Sequence, residues 1–82
     1  MYSVYLLRSL KDKNLYIGST FDLKSRYTQH LEGKVISTKN RRPLELIYYE
    51  AYNDKLLAQE RERKLKQFGS SYRGLIKRLN IK

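Results

Sequence analysis

Tyr2-Ser-Val-Tyr-Leu-Leu-Arg8 and Leu15-Tyr-Ile-Gly-Ser19 decide how this chain begins to fold. Both are short and rich in aromatic and branched residues, the composition that suits a pleated, half-buried strand. Lys11-Asp12-Lys13-Asn14 between them is polar and made of turn formers. Two strands on so short a link close most simply as a β-hairpin, which sets Tyr5 across from Tyr16 and Gly18, to within about one residue of register. Gly18 inside a strand is unfavourable unless the backbone bends there or something approaches closely, although an ordinary strand end accounts for it equally well.

Working outward, Leu23, Tyr27 and Leu31 recur at helical spacing, with Thr20 or Asp22 as the cap and Gly33 just past the end. Arg26 and His30, also four apart, share a neighbouring strip of that helix. Gly33 to Pro43 reads as a basic loop, and Leu44 to Tyr52 as a third strand. Asn53 or Asp54 caps a second helix running to about Phe68, with Gly69 as its stop. Ser70 or Ser71 caps a third helix through about Leu79. The order β-β-α-β-α-α implies an α+β fold, a three-stranded, mostly antiparallel sheet flanked by helices, in one domain over residues 1–82.

Composition narrows the function. The chain has 82 residues, Lys+Arg 18 against Asp+Glu 8, a net charge of +10, no cysteine and one histidine. That excludes disulfide frameworks, thiolate zinc sites and multi-histidine metal motifs. No apolar run approaches the ~20 residues that span a bilayer, and no signal-peptide layout opens the chain, so a soluble cytoplasmic protein is the expectation. Carboxylates are too scattered for a two-metal cluster, and neither a phosphate-binding glycine loop nor a nucleophile elbow is present. The positive excess points to a polyanion, nucleic acid first, against the plainer reading of a solvated basic surface. Eight of the ten aromatics are tyrosines. Most tyrosines on strands are packing residues, but so many hydroxyls are better accommodated if some face a wet groove.

Ser3-Val4-Tyr5, then Tyr16-Ile17-Gly18, then Arg26, with Glu62 inside Ala58-Gln-Glu-Arg-Glu62-Arg-Lys-Leu-Lys66, resembles the signature of the GIY-YIG nucleases. The likeness covers nearly the whole chain and is nearest to the small members built from the nuclease module alone. Ser3 stands where the family motif has glycine. Asn80 lies too far beyond Glu62 to match the supporting asparagine of many relatives. The resemblance implies metal-dependent endonucleolytic cleavage of DNA by one active site, and service in DNA repair. It implies that Glu62 holds one Mg²⁺ or Mn²⁺ ion, largely hydrated. Arg26 would grip a phosphate oxygen, which its planar fork suits. Tyr5 would act as general base or place the water, with nearby positive charge favouring its phenolate. Tyr16 would position the phosphate. His30 would orient Arg26 or take the proton in place of Tyr5.

Without the resemblance, Arg26 reads as an exposed helix arginine and Glu62 as a partner for its basic neighbours. The helical wheel groups Leu57, Ala58, Leu65 and Phe68 on one face, with Glu62 at its border. Arg61 falls in the middle of that face, which the wheel leaves unexplained. Lys34, Lys39, Arg41 and Arg42 on the loop, and Arg73, Lys77 and Arg78 on the third helix, would track a nucleic-acid backbone. Such contacts give affinity and salt sensitivity rather than sequence choice, so low sequence specificity or selection by structure is expected. DNA is the expected partner, RNA the second candidate, and a monomer the expected state. Two alternatives stand beside the enzyme. One is a binding module on the same fold without turnover. The other is a helix-turn-helix reader over residues 54–80, weakened by the want of an apolar contact at the Gly69–Tyr72 turn.

Overall fold

A computed structural model of the chain describes residues 1–81. The hairpin strands are β1 (Tyr2–Ser9) and β2 (Leu15–Thr20), followed by helix α1 (Leu23–Leu31). Strand β3 (Leu44–Tyr52) precedes helices α2 (Lys55–Lys66) and α3 (Ser70–Leu79). The order is β-β-α-β-α-α and the sheet is antiparallel throughout, so the expected α+β architecture holds. The strands lie in the order β2-β1-β3.

β1 takes the centre because it is apolar on both faces, every residue from Ser3 to Leu7 being buried. Its alternation feeds two cores. Val4 and Leu6 join Ile17, Ala58, Leu65 and Leu75 beneath α2 and α3. Tyr5 and Leu7 join Leu44 on the opposite face, with Leu23 and Tyr27 of α1 against them.

The caps resolve in favour of aspartate. Asp22 accepts from the Ser25 amide at 3.1 Å and Asp54 from the Leu56 amide at 2.8 Å, each satisfying a helix-start donor. Gly33 takes the left-handed conformation just past α1, at φ +77°. Two expectations are corrected at the joint between α2 and α3. The left-handed residue is Phe68, at φ +55°, and Gly69 is the residue before α3 rather than the stop of α2. Neither Ser70 nor Ser71 caps α3, since both lie inside it. The turn also carries an aromatic contact, Phe68 packing edge-on to Tyr72 with ring centroids 4.8 Å apart.

The loop after α1 is more ordered than a plain basic loop. Val35 and Thr38 are buried, Lys39–Arg41 form a 3₁₀ turn, and the Ser9 hydroxyl donates to the Arg41 carbonyl at 2.7 Å. On α2 only Ala58 and Leu65 of the wheel's apolar face are buried, while Leu57 and Phe68 stay exposed. The helix turns a strip through 58, 61, 62 and 65 toward the sheet, so Arg61 and Glu62 are half-buried. Arg61 meets Glu50 of β3 in a two-pronged ion pair, both contacts at 2.9 Å, which explains its place on the wheel.

Candidate active site

Tyr5 and Gly18 are directly paired across β1 and β2. The Tyr5 ring lies over its neighbour strand, and a Cβ on Gly18 would stand 2.5 Å from the Tyr5 hydroxyl oxygen. Any side chain there would drive the phenol away, so the close-approach reading of this glycine is the correct one. Gly18 leaves the slot that the Tyr5 hydroxyl fills.

Tyr5 is 1% exposed and His30 is fully buried. The Tyr5 hydroxyl bonds His30 Nε2 at 2.9 Å, and His30 Nδ1 bonds the Thr38 hydroxyl at 2.8 Å. Tyr16 closes the aromatic cluster, its ring centroid 5.2 Å from that of His30 and 6.4 Å from that of Tyr5. Ser37 on the loop reaches the Tyr16 hydroxyl at 3.5 Å. The chain Tyr5–His30–Thr38 therefore joins β1, α1 and the loop.

Burial lowers the His30 pKa to about 4, with the Arg26 guanidinium adding to the effect. His30 is accordingly neutral near pH 7, and one of its ring nitrogens accepts while the other donates. Burial also raises the Tyr5 pKa, and the nearby Arg26 opposes this without reversing it. The Arg26 guanidinium favours the phenolate, as expected, but does not set the resting state. Desolvation outweighs the guanidinium, and Tyr5 rests as a neutral phenol.

Arg26 is half-buried on α1, one turn before His30, and donates to the Gln29 side chain at 2.9 Å. Its guanidinium lines a hollow with Ser19, Thr20, Asp22 and Ser25. Glu62 arrives from the opposite face of the sheet. One carboxylate oxygen accepts from the Ser19 hydroxyl at 2.5 Å and the other meets Lys66 at 2.7 Å. Tyr5 and Tyr16 lie on one side of the sheet, with Arg26 on α1 near enough to act on Tyr5. Ser19 of the edge strand β2 holds Glu62 on the other side and borders the Arg26 hollow. Glu62 and the Ser19 hydroxyl are oxygen donors suited to a hard cation. Among the described residues no group of three His, Cys, Asp or Glu side chains could hold a metal.

His30 does not orient Arg26 by a hydrogen bond, since its two ring nitrogens are taken by Tyr5 and Thr38. Ser19, Thr38 and Lys66 escape sequence reasoning. Serine and threonine in turns carry no periodic signal, and Lys66 is one lysine in a basic run. For Ser19, adjacency to Gly18 was the only pointer.

The basic residues divide. Lys39, Arg73 and Lys77 are exposed, and Lys34 pairs with Glu32 at 3.2 Å. The Arg42 guanidinium lies beside Gly33, and its Nε donates to the Lys39 carbonyl. Arg41 turns inward to Asp12 at 3.3 Å, where it braces the loop against the hairpin. Arg78 donates to the Tyr48 hydroxyl at 3.1 Å while remaining exposed. Asn80 is the left-handed residue closing α3. No described helix is long and apolar enough to cross a membrane.

Comparison with known proteins identifies the family. A UPF0213 protein of Staphylococcus haemolyticus is 39% identical over 66 residues, 79% of each chain. A UPF0213 protein of Staphylococcus saprophyticus is 36% identical over the same length and share. One of Streptococcus pyogenes serotype M3 is 42% identical over 60 residues, 72% of this chain and 64% of its own. No solved structure matches. The profile of the GIY-YIG catalytic domain matches residues 1–75, and the chain belongs to this nuclease family.

Proposed function

We propose that this protein is a metal-dependent DNA endonuclease with one active site, of low sequence specificity or selective for DNA structure. The observation that supports it best is the Tyr5 hydroxyl, set over Gly18, bonded to a neutral imidazole and within the field of Arg26 and Glu62.

In this reading a phosphodiester enters the hollow beside Arg26, whose guanidinium binds a non-bridging oxygen and stabilises the charge that builds there. A water molecule attacks phosphorus in line with the departing 3′ oxygen. As it does so it gives a proton to the Tyr5 oxygen, while the Tyr5 hydroxyl proton passes to His30 Nε2. Thr38 holds the imidazole in position for that transfer. Burial is the larger cause of the lowered His30 pKa, and the approaching phosphate offsets the smaller one, the Arg26 charge, so the imidazole gains some basicity when substrate is bound. Tyr16 packs against the imidazole and borders the phosphate.

Glu62, with Ser19 beside it, is the group suited to one hydrated Mg²⁺ or Mn²⁺. Such ions use one or two carboxylates, retain waters and bind substrate phosphate. When bound, the ion polarises a phosphate oxygen and neutralises the leaving oxygen.

Supercoiled plasmid incubated with Mg²⁺ or EDTA tests the proposal. The protein should nick in Mg²⁺ alone, and Arg26→Ala and Glu62→Gln should each lose the activity while staying folded. Nicking by both variants at the parent rate would overturn it. The second reading, a binding module without turnover, draws on Glu62, whose two oxygens are already engaged by Ser19 and Lys66. DNA binding with no nicking in any divalent ion would favour that module.

A further inference from the structure

Phe21 is 67% exposed at the turn between β2 and α1, one residue from the cap of α1. An isolated apolar side chain at the surface needs no explanation, but this one is held in place. The Thr20 hydroxyl accepts from the Asp22 amide at 3.1 Å, and Asp22 in turn caps α1, so the backbone on both sides of Phe21 is pinned. Its ring meets Tyr2 edge-to-face, with centroids 5.0 Å apart. An edge-to-face partner fixes the ring and leaves an aromatic face free.

Beneath it lies a hollow of about 340 Å³ lined by Tyr2, Ser19, Phe21, Lys55 and Gln59. Ser19 and Thr20 also border the hollow that contains Arg26, so the two hollows adjoin across the end of β2. Ser19 is the residue bonded to Glu62. Together they offer a guanidinium on one side of the Ser19–Thr20 ridge. On the other they offer a fixed aromatic ring, an ammonium and a side-chain amide. That is the chemistry of a nucleotide: phosphate to arginine, base to ring, and base edge to amide. A base inside a duplex is stacked on its neighbours and offers the ring no free face.

The geometry points to Phe21 as a stacking platform for an unpaired base next to the phosphate held by Arg26. This rests on the nuclease reading, and it narrows the substrate to DNA with unpaired nucleotides at the cleavage point, such as gaps, flaps or single strands. Lys55 and the overall charge of +10 favour a polyanion there over an apolar protein surface.

Fluorescence anisotropy in EDTA, where no turnover occurs, tests the platform separately from catalysis. The probes are a fully paired duplex and the same duplex with a three-nucleotide single-stranded gap. The parent protein should bind the gapped probe more tightly. Phe21→Ala should weaken gapped-probe binding about 5- to 100-fold, the range for losing one stacked base, and leave duplex binding unchanged. Phe21→Trp should restore it. Equal parental affinity for the two probes, or an equal loss on both, would overturn the inference. So would sedimentation showing that Phe21→Ala dissociates a dimer, which would make a second copy the occupant. Circular dichroism confirms that each variant is folded. Failure of nicking together with a Phe21-dependent gap preference would sink the nuclease reading and spare the platform's binding role.

Discussion

The two faces of the sheet each carry a tyrosine network, and the two are built on opposite plans. Under α2 and α3, the Glu50 carboxylate accepts from Tyr48 at 2.7 Å, Tyr52 at 2.6 Å and Arg61 through two nitrogens. Charge meets charge and the acceptor oxygens are all served. Arg61 holds the Glu50 carboxyl below its usual range even though burial pushes the other way. Burial, with Glu50 alongside, pushes Tyr52 up to about 12, so its proton stays in place. Under α1, Tyr5, His30 and Thr38 form a chain with no charged member. Its protons have two arrangements along the same three residues, since either imidazole nitrogen can donate. A saturated ionic network fixes a structure, whereas a neutral chain of donors that are also acceptors can pass a proton.

This contrast can be broken from either side. The largest effect should come from Tyr5→Phe. Removal of a general acid–base group costs about 10²- to 10⁴-fold in rate, and nicking should fall by that much. Stability should change by only about 1 kcal/mol, as for one lost hydrogen bond. A plasmid assay beside a thermal melt separates the two readouts. Arg61→Met should do the reverse. Leaving Glu50 without its partner should cost about 2–3 kcal/mol, less than for a fully buried pair because the Arg61 side chain is 25% exposed. The melt should then fall by about 10–20 °C. Nicking per folded molecule, measured below the transition, should stay near the parent value.

A smaller effect should follow Thr38→Val, which keeps the shape and removes the hydroxyl. Loss of a bond of about 1 kcal/mol should slow nicking about fivefold, and Thr38→Ser should recover most of it. A further effect, on stability rather than rate, should be seen in acid. The folded pKa of His30, about 4, lies below its unfolded value near 6.5. The stability held by the neutral ring is therefore complete above about pH 6.5 and is lost as the pH falls toward 4. His30→Gln should flatten that part of a stability–pH profile while leaving the carboxylate-driven part in place. An unchanged slope would show that His30 is not buried as described.

The sequence disclosed the elements and the approach of Tyr5 to Gly18 because those rest on local patterns: alternation in β1, helical spacing at Leu23, Tyr27 and Leu31, and aspartates ahead of helices. It disclosed less of what lies between elements. Arg61 on an apolar face was a visible anomaly, but its answer, Glu50, lies on a strand 11 residues earlier, where nothing marks a buried acid. Thr38 was hidden among basic loop residues, although its burial turns that loop into a wall of the site. For Tyr5, sequence displays the charge of Arg26 and not the dryness around the phenol, and dryness is the stronger influence. Gly69 seemed the natural helix stop because glycine tolerates the left-handed region best. Phe68 occupies it instead, with Tyr72 packed against its ring.

β2 is an outer strand of the sheet, and the hollow beside Arg26 opens at its rim. A rim has no back wall. A long polymer can be laid across it at any point along its length and can leave from both sides, with neither terminus threaded through. Such access suits cutting at interior linkages and gives no grip for counting residues inward from an end.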